Sequence, residues 1–423
     1  MSKYHIITFG CQMNKSDSER VSAVFEHLNY TAVSTPEEAD FIVINACSVR
    51  QTAIDRIWGL LEQFGAMKKE RKLMTILTGC VLEQDKARLQ ERFDFVFNIK
   101  NLAELETFLH EKNEYTKENY FETLPKYADN YRAFVPIMTG CNNFCSYCAV
   151  PYARGREQSR TVLEILDELK KLSVSGCKEI TLLGQNVNSF KPTDVENFSK
   201  ENPFAHIFAK LLWEVNQIDG LERIMFTAAH PKDMHEEVIE ALALPRMMNY
   251  LHLALQSGDN EILDKMNRKY TAEDYLKIIE KVRKIKPEIA IGTDLIVGFP
   301  GETREQFENT LNIYKKIRFD IAYPAMYSPR SGTRAAELAD DISCEEKKKR
   351  WHEVQDLMER TTLEINQKYN GQEVSVLIDT VKDNWCEGNS REMKRVRIYN
   401  QNYKVGEIVS VRVREAKMWI LES

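Results

Sequence analysis

The sequence predicts an α/β protein in three parts. An N-terminal doubly wound parallel sheet is expected over residues 1–118, a central partial (β/α)6 barrel over 127–359, and a small all-β barrel over 360–423. Three observations predict this. Apolar strand-like runs alternate with amphipathic helical runs in two successive series, the pattern of parallel sheets. A polar stretch from Lys112 to Asn130, with Pro125 near its end, separates the series as a linker. The last ~50 residues lose helical period and break into short strands.

Composition fits this organisation. The 423 residues suit two to three domains at ~150 residues each. A hydrophobic share of 43% supplies sizeable cores and excludes wholesale disorder. Lys+Arg 58 against Asp+Glu 64 leaves a net charge of −6, so a generally basic nucleic-acid binder is excluded and any RNA contact must rest on local patches. No apolar run approaches the ~20 residues of a membrane span. The start, Met1-Ser-Lys-Tyr-His, carries no leader pattern, so a cytoplasmic chain without membrane contact is expected, and a monomeric state is expected with it.

In the first series, Tyr4–Gly10 reads as a strand. Ser16, with Glu19 three residues on, opens a helix carrying Val21, Val24, Phe25 and Leu28. Phe41–Asn45 and Met74–Thr78 are buried strands around a long helix from Val49 to Lys69. A helix through Leu89, a strand over Phe93–Phe97 and a helix over Leu102–Leu109 complete the series. The second series has candidate strands at Ala133–Met138, Glu179–Leu183, Arg223–Thr227, Tyr250–Leu255, Ala290–Val297 and Ile321–Tyr327. Helices such as Val162–Leu172 and Tyr275–Ile285 lie between them. Six such units predict chemistry at the C-terminal strand ends. A charged helix from Cys344 to about Tyr369 leads to short strands at Glu373–Ile378, Lys394–Ile398, Ile408–Val413 and Trp419–Leu421, a barrel of oligonucleotide-binding type.

Nine scattered cysteines in a chain of this size argue for metal ligation or thiol chemistry over a disulfide framework. Cys11, Cys47 and Cys80 each fall at the C-terminal end of one of the first three strands, where an open parallel sheet binds ligands. They are either ordinary buried cysteines or ligands of one metal centre. Thr139-Gly-Cys141-Asn-Asn-Phe-Cys145-Ser-Tyr-Cys148 places three more on one loop after the first barrel strand. Three close thiolates suit a 4Fe-4S cluster with one iron left open, the site at which S-adenosylmethionine binds and is cleaved to a radical. A zinc knuckle is the alternative, and it needs a fourth ligand that only Cys177 offers nearby.

On these motifs the chain resembles the radical-SAM methylthiotransferases over essentially its whole length. Thr8-Phe-Gly-Cys-Gln-Met-Asn14 with Ser16-Asp-Ser-Glu-Arg20 looks like the start of the tRNA-modifying branch. Asn45-Ala-Cys-Ser-Val-Arg50 and Gly79-Cys80 resemble its next two motifs. The Cys141–Cys148 loop followed by Val150-Pro-Tyr-Ala-Arg-Gly-Arg-Glu-Gln-Ser-Arg160 matches its radical-SAM segment. Leu182–Asn188, Leu253–Gly258 and Thr293–Thr303 match barrel motifs, with small departures at Ala46, Val81-Leu82 and Arg334. The resemblance implies two 4Fe-4S clusters, one on Cys141, Cys145 and Cys148, and an auxiliary one on Cys11, Cys47 and Cys80. It implies two molecules of S-adenosylmethionine per turnover and methylthiolation at carbon 2 of N(6)-isopentenyladenosine beside the anticodon of tRNA. A flavodoxin-type electron donor is expected, and the sulfur donor is unknown. Two other readings stay open: the same chemistry on a threonylcarbamoyl-adenosine tRNA or a ribosomal protein, and a zinc-stabilised RNA-binding protein without catalysis.

Candidate cofactor contacts are Tyr147, Gln185, Gln256, Ser257, Asp294 and Gly298, at or near strand ends. Each has a plainer role as packing, backbone satisfaction or turn. Arg154 and Arg156 form a basic loop suited to a cofactor carboxylate or an RNA phosphate. The C-terminal part resembles a TRAM domain. Eight basic residues against three acidic ones between Gly388 and Lys417 predict a phosphate-binding face carrying Arg395, Arg397, Arg412 and Arg414.

Overall fold

The structure, a computed structural model, describes residues 2–47, 51–110, 120, 121 and 123–423, without the side chains of 51–53 and 83. Ser48-Val49-Arg50 of the second motif and the first half of the expected linker lie outside the described residues. The chain divides into two compact units. One comprises residues 1–129, 134–160 and 330–333, the other 130–133, 161–329 and 334–423.

In the first unit, strands β1 (Lys3–Thr8), β2 (Thr31–Ala32), β3 (Phe41–Cys47), β4 (Met74–Cys80) and β5 (Phe95–Val96) form a parallel sheet of order β2-β1-β3-β4-β5. Helices α1 (Gln12–His27), α2 (Gln51–Glu70), α3 (Glu83–Leu89) and α4 (Leu102–Leu109) connect the strands. β3 and β4 are buried along both faces because they are central, and Ile42, Ile44, Ile76 and Leu77 are fully buried.

Two expectations for this region are corrected. α1 starts at Gln12, ahead of Ser16: Cys11 is its N-cap, and Asn14 turns back to accept the Cys11 N–H at 3.3 Å. Ser16 is buried one turn later, its Oγ accepting from Arg20 Nη1 at 2.8 Å. The described end of the supposed linker also packs on α1. Tyr120 donates its buried hydroxyl to Asp17 at 2.6 Å, and the Lys126 N–H bonds to the Glu19 carbonyl at 3.0 Å. Its polarity serves these bonds.

The barrel strands are β6 (Arg132–Pro136), β9 (Glu179–Leu183), β10 (Arg223–Phe226), β11 (Tyr250–His252), β12 (Ala290–Val297) and β13 (Ile321–Met326). A short pair, β7 (Met138–Thr139) and β8 (Gln158–Ser159), flanks α5 (Val150–Arg154). Helices α6 (Val162–Val174), α7 (Ile207–Asn216), α8 (Glu236–Ala241), α9 (Asn260–Lys265), α10 (Ala272–Ile285) and α11 (Arg304–Ile317) lie between the strands. Capping boxes at Thr161/Glu164, Thr271/Asp274 and Thr303/Gln306 start three of them. The wall is two three-stranded sheets, β10-β9-β6 and β11-β12-β13, linked by isolated parallel bridges Ile224–Met247 and Ala229–Leu253.

After α12 (Cys344–Gln367) come β14 (Glu373–Val381), β15 (Trp385–Ser390), β16 (Arg395–Tyr399), β17 (Ile408–Arg412), β18 (Glu415–Ala416) and β19 (Leu421–Glu422). They form a curled mixed sheet of order β17-β14-β15-β16-β19-β18. Sequence reasoning missed β15, whose Gly388 breaks the strand signal. That glycine is needed because a Cβ there would lie 1.9 Å from the Leu377 carbonyl oxygen on β14. Cys386 sits in this sheet's core with Val376 and Ile398.

Candidate functional site

Cys47 and Cys80 are the last residues of adjacent parallel strands and are direct partners in the β3–β4 register. Both are buried, at 8% and 5% exposure. Cys11 leaves β1 through Gly10 and caps α1, where the helix N-terminus favours an anionic thiolate. Two asparagines lock this arrangement. Asn14 Nδ2 donates to Asn45 Oδ1 at 3.1 Å and to the Ala46 carbonyl at 3.2 Å, and Asn45 Nδ2 returns a bond to the Asn14 carbonyl at 2.7 Å. Gly79 must be glycine: its φ is +108° and a Cβ would stand 2.2 Å from the Ala46 oxygen.

As bare thiols Cys80 and Cys11 resist ionisation. A hydrogen bond from the Cys80 thiol to Cys47, with burial, holds Cys80 well above the usual thiol range, and desolvation of its sulfur with the nearby Cys80 pushes Cys11 up. Crowded sulfurs, two of them buried, become thiolates together only beside a strongly cationic centre, which is what an iron cluster provides. The donor set therefore fits such a group.

The second triad sits on the loop between β7 and β8, whose antiparallel pairing joins Met138 to Ser159 and Thr139 to Gln158. The Cys141 N–H bonds to the Gly155 carbonyl at 3.1 Å, and Cys148 N–H to the Cys145 carbonyl at 2.9 Å. Asn142 and Glu157 exchange two further bonds at 3.2 and 3.3 Å across the loop base. Gly140, at φ +80°, passes where a Cβ would strike the Arg156 carbonyl. Cys141 and Cys145 are buried, while Cys148 and Tyr147 are half-exposed. Thus the loop presents three sulfurs on a braced frame, open on one side, as a three-cysteine cluster needs. Among the described residues, no three His, Cys, Asp or Glu side chains close on a single metal ion.

Arg154 is corrected. Its guanidinium is 3% exposed and beyond the reach of any phosphate. Nε lies 2.8 Å from Cys80 Sγ, and Nη2 pairs with Asp17 at 2.5 Å. Arg156 is exposed and stacks on Phe144 at 4.4 Å. Sequence reasoning missed Asp17 and Tyr120 as partners of this centre. It also missed Arg330, a cation close enough to Asp55, Asp85 and Cys47 to interact with each.

In the second unit, Gln185 is half-buried just past β9. Beside it Asn186 is fully buried, with Nδ2 on Asp233 at 2.8 Å and Oδ1 without a hydrogen-bond partner among the described residues. Near β10, His230 accepts from the Lys232 N–H on Nδ1 and leaves Nε2 unpartnered. Burial, with Arg268 and Lys232 adding to it, pushes its pKa down to about 2. Asp294 pairs with His252 at 2.8 Å and stays 42% exposed at its side chain. Gln256 is buried in a left-handed conformation, φ +68°. Two expected contacts are corrected. Ser257 is fully buried and accepts the Asp259 N–H, a turn role. At Gly298 the space a Cβ would take is filled by Lys347 Cγ, 2.4 Å from that position, so its missing side chain makes room for Lys347.

The C-terminal face is corrected too. Arg395 bonds Asp379 at 2.6 Å and Glu387 at 2.9 Å. Arg397 bonds the same Glu387 at 2.6 Å and stacks on Trp385 at 4.7 Å. Two acids upstream of Gly388 thus neutralise them. Lys394 is buried against Asp320 at 2.9 Å. Arg412 and Arg414 remain exposed and line a cleft of about 620 Å³ with Tyr399 and Tyr403.

Comparison with known proteins adds to this geometry. The radical SAM superfamily matches residues 135–313, and "Uncharacterized protein family UPF0004" matches 3–99. A tRNA-2-methylthio-N(6)-dimethylallyladenosine synthase of Carboxydothermus hydrogenoformans is 41% identical over 441 residues, covering 99% of this chain and 98% of that protein. The synthase of Syntrophomonas wolfei is 41% identical, covering 99% and 96%. Among solved structures, the radical S-adenosylmethionine methyltransferase TsrM of Kitasatospora setae aligns with a TM-score of 0.56 at 14% identity, over 79% of this chain and 77% of that one, a likeness of fold.

Proposed function

The chain belongs to the family of tRNA-2-methylthio-N(6)-dimethylallyladenosine synthases, radical SAM transferases, and from that membership we infer its reaction. It adds a methylthio group at carbon 2 of N(6)-isopentenyladenosine beside the anticodon of tRNA. The observation that carries this is the pair of cysteine triads, each on its own braced frame within one compact unit. When bound there, two 4Fe-4S clusters and S-adenosylmethionine supply the sulfur, the methyl group and the radical chemistry that an unactivated aromatic C–H requires.

The chain's own residues divide the remaining work. Cys141, Cys145 and Cys148 hold the radical-generating cluster, and Cys11, Cys47 and Cys80 hold the auxiliary one. Tyr147, Gln185, Gln256 and Asp294 contact cofactor or substrate, and Asn186 and His230 join them by their unpartnered polar atoms. Arg156, Arg412 and Arg414 contact RNA phosphate. The division into a first domain over 1–118, a radical SAM core over 127–359 and a TRAM domain over 360–423 belongs to the same reading. So do the anticodon stem-loop as the bound element, a flavodoxin-type donor, a monomeric state and a cytoplasmic location. Among the described residues, no helix is long and apolar enough to cross a membrane.

The test is nucleoside analysis of tRNA from a deletion strain, beside iron analysis of anaerobically purified protein. Loss of the methylthio nucleoside, with isopentenyladenosine left behind, and about eight irons per chain support the reading. A strain whose isopentenyladenosine is still methylthiolated refutes the substrate, and a colourless zinc protein refutes the chemistry.

A further inference from the structure

Arg154 is not used by the reaction as described. It ends α5, six residues past Cys148, yet its side chain lies at the other triad, with Nε on Cys80 Sγ at 2.8 Å. Nη2 is fixed by Asp17, and Asp17 is fixed in turn by the Tyr120 hydroxyl at 2.6 Å. Arg154, Asp17 and Tyr120 are all essentially excluded from solvent. The third nitrogen, Nη1, is buried with no hydrogen-bond partner among the described residues. An unsatisfied N–H on a buried cation is strongly unfavourable, so its acceptor is a group that the described residues do not supply.

The chemistry of the neighbouring triad identifies that acceptor's class. Three thiolates on a four-iron cluster leave one iron open. An anionic sulfur ligand at that iron adds negative charge to a centre already negative and buried on its Cys47 and Cys80 side. Arg154 is a permanent cation with a planar fork of donors, suited to hydrogen-bond a thiolate and a second anion at once.

We propose that Arg154 is a positioning residue of the auxiliary centre, whose Nε–H bonds Cys80 while Nη1 holds an anionic sulfur ligand at the open iron. The proposal rests on the reading that Cys11, Cys47 and Cys80 carry a 4Fe-4S cluster. Asp17 and Tyr120 act through it by fixing the guanidinium. Hydrogen bonds and positive charge at cluster sulfurs also raise reduction potential.

The experiment uses the full-length reconstituted holoenzyme and sodium hydrosulfide as the probe. Hydrosulfide is titrated while the electron paramagnetic resonance signals of both reduced clusters are recorded, and a redox titration follows both waves. In Arg154→Gln the hydrosulfide affinity is expected to fall about tenfold to a hundredfold, the worth of one charge-assisted hydrogen bond. One redox wave moves to lower potential and the other stays. Arg154→Lys keeps the charge and the Asp17 pair but loses the fork, and should lose several-fold in affinity. Unchanged hydrosulfide affinity and unchanged waves in Arg154→Gln, with iron retained, overturn the proposal. If Arg154→Gln fails to fold or to take up iron, Arg154→Lys decides, and wild-type affinity in that variant overturns it. A wild-type protein that binds only about four irons instead refutes the cluster reading beneath it.

Discussion

Reversing Arg412 and Arg414 to glutamate should weaken tRNA binding and flatten its salt dependence, whereas reversing Arg395 and Arg397 should do neither. All four follow the period-two spacing of strands, but their surroundings differ. Arg412 and Arg414 are exposed on either side of buried Val413 and face the cleft that Tyr399 and Tyr403 share. Arg395 and Arg397 are occupied by Asp379 and Glu387, and Glu387 sits directly opposite Arg397 in the β15–β16 register. Each RNA phosphate left without its cation lowers the slope of log K against log salt by about 0.7 for single strands and about 0.9 for duplex. Two such phosphates remove about 1.4–1.8 from the slope. Over a fourfold rise in salt, the wild type therefore loses about tenfold more affinity than the Arg412→Glu/Arg414→Glu variant. The assay is fluorescence anisotropy of a labelled anticodon stem-loop across a potassium chloride series, with a thermal melt of each protein. The Arg395→Glu/Arg397→Glu variant should keep its slope and melt at a lower temperature, since four carboxylates then face one another. A flattened slope in that variant, with an unaltered slope in the Arg412→Glu/Arg414→Glu protein, would refute the reasoning.

Other substitutions probe the sites separately. Cys145→Ala should abolish reductive cleavage of S-adenosylmethionine but keep the auxiliary cluster, while Cys47→Ala should keep cleavage to 5′-deoxyadenosine and make no methylthio product; both are read by chromatography and iron content. Gly79→Ala forces a Cβ onto the Ala46 oxygen at a positive φ, so iron should drop from about eight to about four per chain, and a full complement would show that the β3–β4 ends yield. Arg223→Met strips the buried cation 3.0 Å from Glu179 and leaves the Asn389 and Ser390 carbonyls without their donor, costing about 3–5 kcal/mol in urea unfolding. Burial already raises the Glu179 carboxyl above its usual range, so the folded form holds its proton more tightly than the unfolded one. The Arg223→Met deficit should therefore grow as pH rises above about 4.5 and shrink below it; a pH-independent deficit counts against this. His230 is held neutral, with a pKa of about 2 against 6.5 when exposed. Its contribution is thus lost as pH falls below 6.5, by about 1.4 kcal/mol per pH unit, and His230→Gln apoprotein should show a correspondingly shallower acid destabilisation.

What the sequence determined by itself is local. Apolar runs placed the barrel strands, with Glu179–Leu183 and Ala290–Val297 matching to the residue, because burial on both faces leaves short, largely apolar segments rich in β-branched residues. The same local logic put Cys11, Cys47 and Cys80 at strand ends and the other three cysteines on one loop, and motif resemblance then assigned both triads. Helix and strand starts failed where the deciding group was not the expected one, as when Cys11 capped α1 ahead of Ser16. Tertiary structure alone decided which charges are free. Arg154 and Asp17 are 137 positions apart in sequence and meet in the interior, and Arg395 is satisfied by Asp379, 16 positions upstream on β14. Periodicity reports which face a residue occupies, but a charge is cancelled by whatever folds against it. A count of basic residues therefore named Arg395 and Arg397 as RNA contacts, and a basic loop offered Arg154 to a cofactor carboxylate or an RNA phosphate; only the packed chain shows Arg154 at a sulfur centre and the other two paired with acids.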